Sequence, residues 1–414
     1  MNVAIGRDAG AAVTTGTKNV LIGGLAGDAL TNSEQNVAVG YGALSSETLG
    51  INSTAIGNNA LENQNFTTAA DSFNVAVGVN AGNGITTGVN NTLLGALAGD
   101  ALTDADNNTA VGRGSLGADT LGSRAVAVGF GALSSQNFTT ATDNYNVAVG
   151  FNAGVLVSTG TNNTLIGGLA GDALTDADLN VAVGDNALSA DTLGSRSTAI
   201  GRSALSSQNF TTATDTYNTA VGFNAGTAVT TGRENTLIGA RCGDALQTGS
   251  GNTAIGQNAS FDSVSRAVAT VLGSDLASHA QDNTFRVKGD NGVYNTANSS
   301  TWNTTSDERI KKNIVDSSVG LAEINQIKVR NFEYRTESEI TASELQEYDL
   351  KQLAVNKTGT QVGCIAQELE AVIPSAIIED DRGIKNVQSD ELLWHAIKAI
   401  QELSAEIETL KSGG

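Results

Sequence analysis

Ser306 and Lys311 stand five residues apart in the run Ser306-Asp307-Glu308-Arg309-Ile310-Lys311-Lys312-Asn313-Ile314. A serine hydroxyl is a poor nucleophile until a neighbouring base takes its proton. A lysine amine serves as that base only where burial or nearby positive charge depresses its pKa. Arg309 and Lys312 bring positive charge to this run. Taken alone, the same residues also read as a helix N-cap followed by a solvated basic turn. Few other residues invite chemistry. His279 and His395 have no partner at a catalytic or metal-binding spacing, and His395 reads as a structural surface residue of a terminal helix. The two cysteines, Cys242 and Cys364, form neither a disulfide framework nor a zinc spacing. Nothing in the chain asks for a cofactor.

What must position such residues is a chain governed by repetition. A five-residue phrase ending in Gly recurs fifteen times, from Asn2-Val3-Ala4-Ile5-Gly6 to Asn252-Thr253-Ala254-Ile255-Gly256. The closing glycines are spaced 17, 17, 17 and 21 residues apart, and this set returns with a period of 72. A strict period of this length is the mark of a solenoid, each repeat being one coil. Residues 1–260 are therefore expected to form a mainly β, parallel β-roll or β-helix of 15 coils. The three residues before each Gly are small or apolar, which predicts a strand covered on both faces. One solenoid covers only its inward face, so the outward face needs another chain. The four extra residues of each 21-residue coil are expected to bulge outward, since an inward insertion would break the stack. Cys242 falls in the slot filled by Ala26, Ala98 and Ala170, and reads as a small buried residue. Gly23-Gly24-Leu25-Ala26-Gly27-Asp28 is similar to a calcium-binding nonapeptide, but the offset is wrong and it returns only every 72 residues, so no metal is expected. Asp104 and Asp106, with their repeats Asp176 and Asp178, read as solvated turns. The repeats hold no His, which argues against a hexapeptide-repeat acyltransferase.

The phrase N-x-A-[IV]-G-x-x-A resembles the head repeats of trimeric adhesins of the YadA type and similar repeats in phage fibres. That resemblance implies an intertwined homotrimeric β-roll. Fifteen coils at one strand spacing each, roughly 4.8 Å, would give a rod of about 70 Å. Composition agrees with narrow cores: 40% of residues are hydrophobic but only 4% aromatic. The net charge of −20, with no basic patch, argues against nucleic-acid binding. No apolar run reaches the ~20 residues of a membrane span, so membrane insertion is not expected. The first repeat begins at residue 2 with no secretion signal ahead of it, which favours a virion fibre over a bacterial surface adhesin.

The rhythm breaks after Ala259. Residues 261–305 read as a connector, with a short helix between Val264 and Leu276 and a hairpin turn at Asp290-Asn291-Gly292. From Ser306 the chain resembles the intramolecular chaperone of phage endosialidases and tail spikes, the peptidase S74 family. The Ser306 run opens it, and Asn331-Phe332-Glu333-Tyr334 is similar to its F-x-Y strand. Gly363, Ala366, Gln367, Glu368 and Pro374 match its G-x-x-A-Q-E…P segment. The resemblance covers residues 306–414, an α+β domain, and implies self-cleavage between Thr305 and Ser306. Ser306 would be the nucleophile and Lys311 the base, with Asp307, Arg309, Lys312 and Asn313 around them; the reaction would be single-turnover. A terminal helix carries Leu393, Ala396, Ile400, Leu403, Ile407 and Leu410 at alternating steps of three and four, a seam for parallel self-association.

Together these readings suggest a phage fibre assembled in the host cytoplasm, with other virion proteins and a host receptor, carbohydrate being one candidate, as partners. Phe66, Phe138 and Phe210 on the 21-residue coils are candidate receptor contacts, the competing reading being that they cover neighbouring coils. The alternatives are a bacterial trimeric adhesin and a polysaccharide-degrading tail spike. The tail spike ranks last because no carboxylate pair stands out within the coils.

Overall fold

The structure, a computed structural model, describes residues 1–261, 263–275, 277–278, 285–287, 311–335, 339, 359–379 and 384–413. Two compact units divide the chain, Met1–Lys288 and Gly289–Gly414.

The first unit is a parallel β-solenoid. Among the described residues seventeen three-residue strands, one per coil, form one continuous sheet. Register is strict: Val147, Ala148 and Val149 pair with Thr164, Leu165 and Ile166 of the next coil. The middle residue of each strand from Val20–Ile22 to Thr270–Leu272 points inward and is buried, as with Leu21, Ala38, Leu93 and Leu165. Burying a Leu in this way is worth about 1.5–3 kcal/mol. The two flanking residues point outward. Within one chain that face is uncovered: Ile56, Leu94, Ile166, Ile200, Ile238 and Ile255 are 36–42% exposed.

Two devices lock coil to coil. The closing glycines adopt φ near +135°, a region that side chains rarely enter, and sit against the backbone of the glycine one coil on. The Asn that opens most phrases is buried and forms a ladder. Asn163 N–H donates to Asn146 Oδ1 at 2.9 Å, while Asn146 Nδ2 donates to the Gly160 carbonyl at 2.7 Å. The ladder gives each strand-entry amide an acceptor inside an otherwise apolar core.

The solenoid continues past Ala259. Thr270–Leu272, closed by Gly273 at the same spacing of 17, pairs in parallel with Thr253–Ile255. Phe285–Val287 then adds to Thr270–Leu272. The helix expected between Val264 and Leu276 is therefore corrected to a further coil; its phrase, Ala269-Thr270-Val271-Leu272-Gly273, has Ala for the leading Asn and Val for the middle Ala or Leu. The hairpin turn at 290–292 lies outside the described residues.

On the 21-residue coils the extra residues do loop out, with Thr67, Thr68 and Ala69 exposed. The receptor-contact reading of Phe66, Phe138 and Phe210 is corrected, because all three are buried, at 6–7% exposure. Each is drawn in by a buried carboxylate on the preceding coil. The Phe66 N–H donates to Glu47 Oε1, Phe138 N–H to Asp119 Oδ1 and Phe210 N–H to Asp191 Oδ1. Gln64, Gln136 and Gln208 donate to the second oxygen of the same carboxylates. The half-exposed aromatics of these coils are Phe73, Tyr145 and Tyr217. Arg124 lies over the Tyr145 ring and Arg196 over that of Tyr217.

Cys242 occupies the predicted buried slot, with its Sγ 3.1 Å from the Ala254 carbonyl oxygen. Burial pushes its thiol up to about 12. A thiol reagent at pH 8 is therefore expected to leave Cys242 unmodified in the folded chain and to label it once denatured, while the partly exposed Cys364 reacts first. Mass analysis of alkylated peptides checks this; fast native labelling of Cys242 would contradict its burial.

Candidate functional site

The second unit is built round a small core of Leu369, Ile373 and Ala376, joined by Val319, Ile324, Ile327, Val387 and Leu392. Among the described residues three helices frame it: α1 (Leu321–Ile324), α2 (Ala366–Glu370) and α3 (Ser389–Ser412). Strand Arg330–Phe332 runs antiparallel to Gln361–Gly363, and Ile377–Glu379 antiparallel to Lys385–Val387.

Each residue of the G-x-x-A-Q-E…P segment has a local task. Gly363 lies against the Phe332 ring, where a Cβ would stand 3.3 Å from the ring edge. Ala366 opens α2 and Gln367 follows in its first turn. Glu368 grips Arg330 with both oxygens, at 2.7 and 3.1 Å, fastening α2 to the strand pair. The Arg330 guanidinium holds the Glu368 carboxyl below the usual range. Pro374 begins a 3-10 turn that leads into Ile377–Glu379, its fixed φ suiting a first helical position. Phe332 and Tyr334 pack edge to face, with ring centroids 5.4 Å apart.

Helix α3 presents two faces. Leu392, His395, Ala399 and Glu402 turn toward the unit's own core and α1, with Ala399 buried. Leu393, Ile400, Leu403, Ile407 and Leu410 are 42–77% exposed, and Ala396 is half-buried at the border. The predicted seam is thus open to solvent in a single chain. Asp390 and Glu391 in the first turn and Lys411 in the last complement the helix dipole.

Of the expected cleavage residues, Lys311, Lys312 and Asn313 are described and exposed, in a segment without helix or strand. Thr305, Ser306, Asp307 and Arg309 lie outside the described residues. The surface reading of His395 is corrected: its side chain is only 12% exposed and bonds to Ser317 and Glu391. Sequence reasoning missed this contact, since Ser317 and His395 lie 78 positions apart. Among the described residues no three His, Cys, Asp or Glu side chains converge as a metal site requires, and no helix is long and apolar enough to cross a membrane.

No curated protein matches the chain. Residues 306–378 match the peptidase S74 family, described as the chaperone of endosialidase. The match begins at Ser306 and spans α1, the Arg330–Glu368 clasp, α2 and the Pro374 turn. The chain thus joins a parallel β-solenoid to a C-terminal domain similar to the chaperone of endosialidase.

Proposed function

We propose that this protein is a homotrimeric fibre of a phage virion whose C-terminal domain gathers three chains, aligns their solenoids and then releases itself. The observation that carries the reading is the family match beginning at Ser306. Two features of the single chain support assembly with copies. The outward column of Ile, Val and Leu is partly exposed from coil to coil of the solenoid, and the α3 seam is exposed. In a ring of three, each chain would meet its neighbours through two different, complementary patches, and that one kind of interface, repeated, would cover the outward face and the seam. Contact with a host surface belongs to the same proposal, without Phe66, Phe138 or Phe210.

In the release step, Ser306 Oγ attacks the carbonyl carbon of Thr305 and passes its proton to Lys311 Nζ. The Thr305–Ser306 peptide bond breaks, the departing nitrogen takes that proton, and an ester joins Thr305 to the Ser306 oxygen. Water then hydrolyses the ester, leaving a Thr305 carboxylate and a free Ser306. Lys311 is exposed among the described residues, and neighbouring copies would supply the desolvation that makes a lysine a base. Cleavage would then follow assembly.

Expressed wild type should yield fragments of 305 and 109 residues, read by intact mass. Ser306→Ala and Lys311→Ala should each stay at 414 residues while still assembling. An uncut wild-type chain in an assembled trimer would overturn the cleavage reading.

A further inference from the structure

The stretch that follows Lys311 is tied to α3 at two points. Ser317 Oγ lies 3.2 Å from His395 Nδ1, and the Leu321 N–H donates to Glu402 Oε2 at 2.7 Å. His395 and Glu402 are seven residues apart, two turns of one helix face, with the buried Ala399 between them. Both side chains are themselves braced. His395 Nε2 meets Glu391 Oε1 at 3.3 Å, Glu391 also accepts from the Ser375 hydroxyl, and Glu402 pairs with Lys398 at 3.7 Å. The Glu402 carboxylate takes the space beside Gly320, where a Cβ would stand 2.6 Å from Glu402 Oε1 and push it aside. Helix α1 is a single turn, Leu321–Ile324, too short to sustain itself. Its first amides need outside acceptors. Glu323 takes the Gly320 N–H at 2.9 Å and Glu402 takes that of Leu321. The start of α1 is therefore set from the far end of the domain.

We propose that His395 and Glu402 are positioning residues for the self-cleavage, pinning 317–321 to the last helix so that Lys311 is held within six residues of a fixed point. The inference rests on the self-cleavage reading above. It makes cleavage wait for α3, the last of the described elements along the chain. A chain shortened before His395 keeps Ser306 and Lys311 yet lacks the anchor.

The size of the effect follows from tether length. Freeing Ser317 and Leu321 leaves Val319 held by apolar contact alone. The tether then grows from six residues, Lys311 to Ser317, to as many as thirteen, Lys311 to Ile324. Local concentration falls as the −3/2 power of length, which is up to about threefold. Loss of orientation adds to this.

The test uses the full chain, following cleavage over time by denaturing electrophoresis and assembly by light scattering. The double variant His395→Ala/Glu402→Ala should assemble and be cut about 1.5- to threefold more slowly. Glu402→Gln keeps an acceptor oxygen for Leu321 and should be cut at the wild-type rate, a rescue that a purely structural loss would not show. Gly320→Ala displaces the Glu402 carboxylate without altering α3, so it decides the matter should the double variant fail to assemble: slow cutting supports the proposal. An assembled double variant or Gly320→Ala variant cut at the wild-type rate overturns it and leaves the self-cleavage reading standing. An assembled wild type that is never cut overturns both.

Discussion

Expressed without residues 306–414, the solenoid is expected to be insoluble or to assemble out of register, whereas the same rod left after cleavage stays intact. The reason lies in its periodicity. The outward residues of one supercycle nearly repeat those of the next, as Ile56, Val128 and Ile200 show at steps of 72. Two chains slipped by a whole supercycle bury almost the same apolar columns as two chains in step, so little free energy separates right from wrong. Strand register is weakly specified wherever the pattern is this monotonous. A C-terminal domain that first brings three chain ends level removes the choice. On the proposed reading, each coil once zipped is held on both sides by ladder hydrogen bonds and buried side chains, and the rod would persist through a high unfolding barrier without its chaperone. Expression of residues 1–305, followed by sedimentation and light scattering, makes the comparison with the cleaved product. A soluble, heat-resistant trimer in good yield from the truncated gene would remove the need for a chaperone.

The solenoid was legible because its signal is geometric. A corner that turns at φ near +135° against a neighbouring backbone admits only glycine, so the glycines print the coil length directly into the sequence. What depended on neighbours in space was less legible. The coil closed by Gly273 hid behind Val271, in the middle slot that elsewhere holds Ala or Leu, and Leu276, in the slot three residues after the glycine that elsewhere holds a small residue, while Asn252 Oδ1 still accepts the Ala269 N–H at 3.0 Å. Phe66, Phe138 and Phe210 sit beside Thr-rich insertions and look external. Their burial follows from Glu47, Asp119 and Asp191 on the coil before, acids that the repeat pattern does not single out. In the C-terminal domain the motif residues Gly363 and Glu368 were readable through resemblance, but their partners Phe332 and Arg330 were joined to them only by the fold. The Ser317–His395 and Leu321–Glu402 contacts span 78 and 81 positions and follow no period.

The sharpest test of the coil geometry sets two adjacent glycines against each other. Gly167 has φ +134°, and a Cβ there would lie 2.5 Å from the Gly184 carbonyl carbon and 3.0 Å from the Asp185 nitrogen. These are backbone atoms fixed by the next coil, and no rotamer change relieves the clash. The backbone would also have to hold Ala in a region that costs about 1–3 kcal/mol. Gly168 has an ordinary φ, and its Cβ would meet only Asp185 Oδ1 at 3.4 Å, the far end of an exposed side chain. The same column carries Tyr41, Phe130 and Phe151 on other coils, so it accepts large side chains. Gly167→Ala is therefore expected to cost about 4 kcal/mol or more, the range reserved for severe steric defects. Because each coil contacts only its neighbours, the damage should part the rod locally and expose the chain near residue 167 to protease. Gly168→Ala should change stability by no more than about 0.5 kcal/mol, or raise it slightly by reducing the freedom of the unfolded chain. Thermal unfolding and limited proteolysis of the two purified variants give the comparison. Equal stability of the two would mean that the closing glycines are not what fixes the stack.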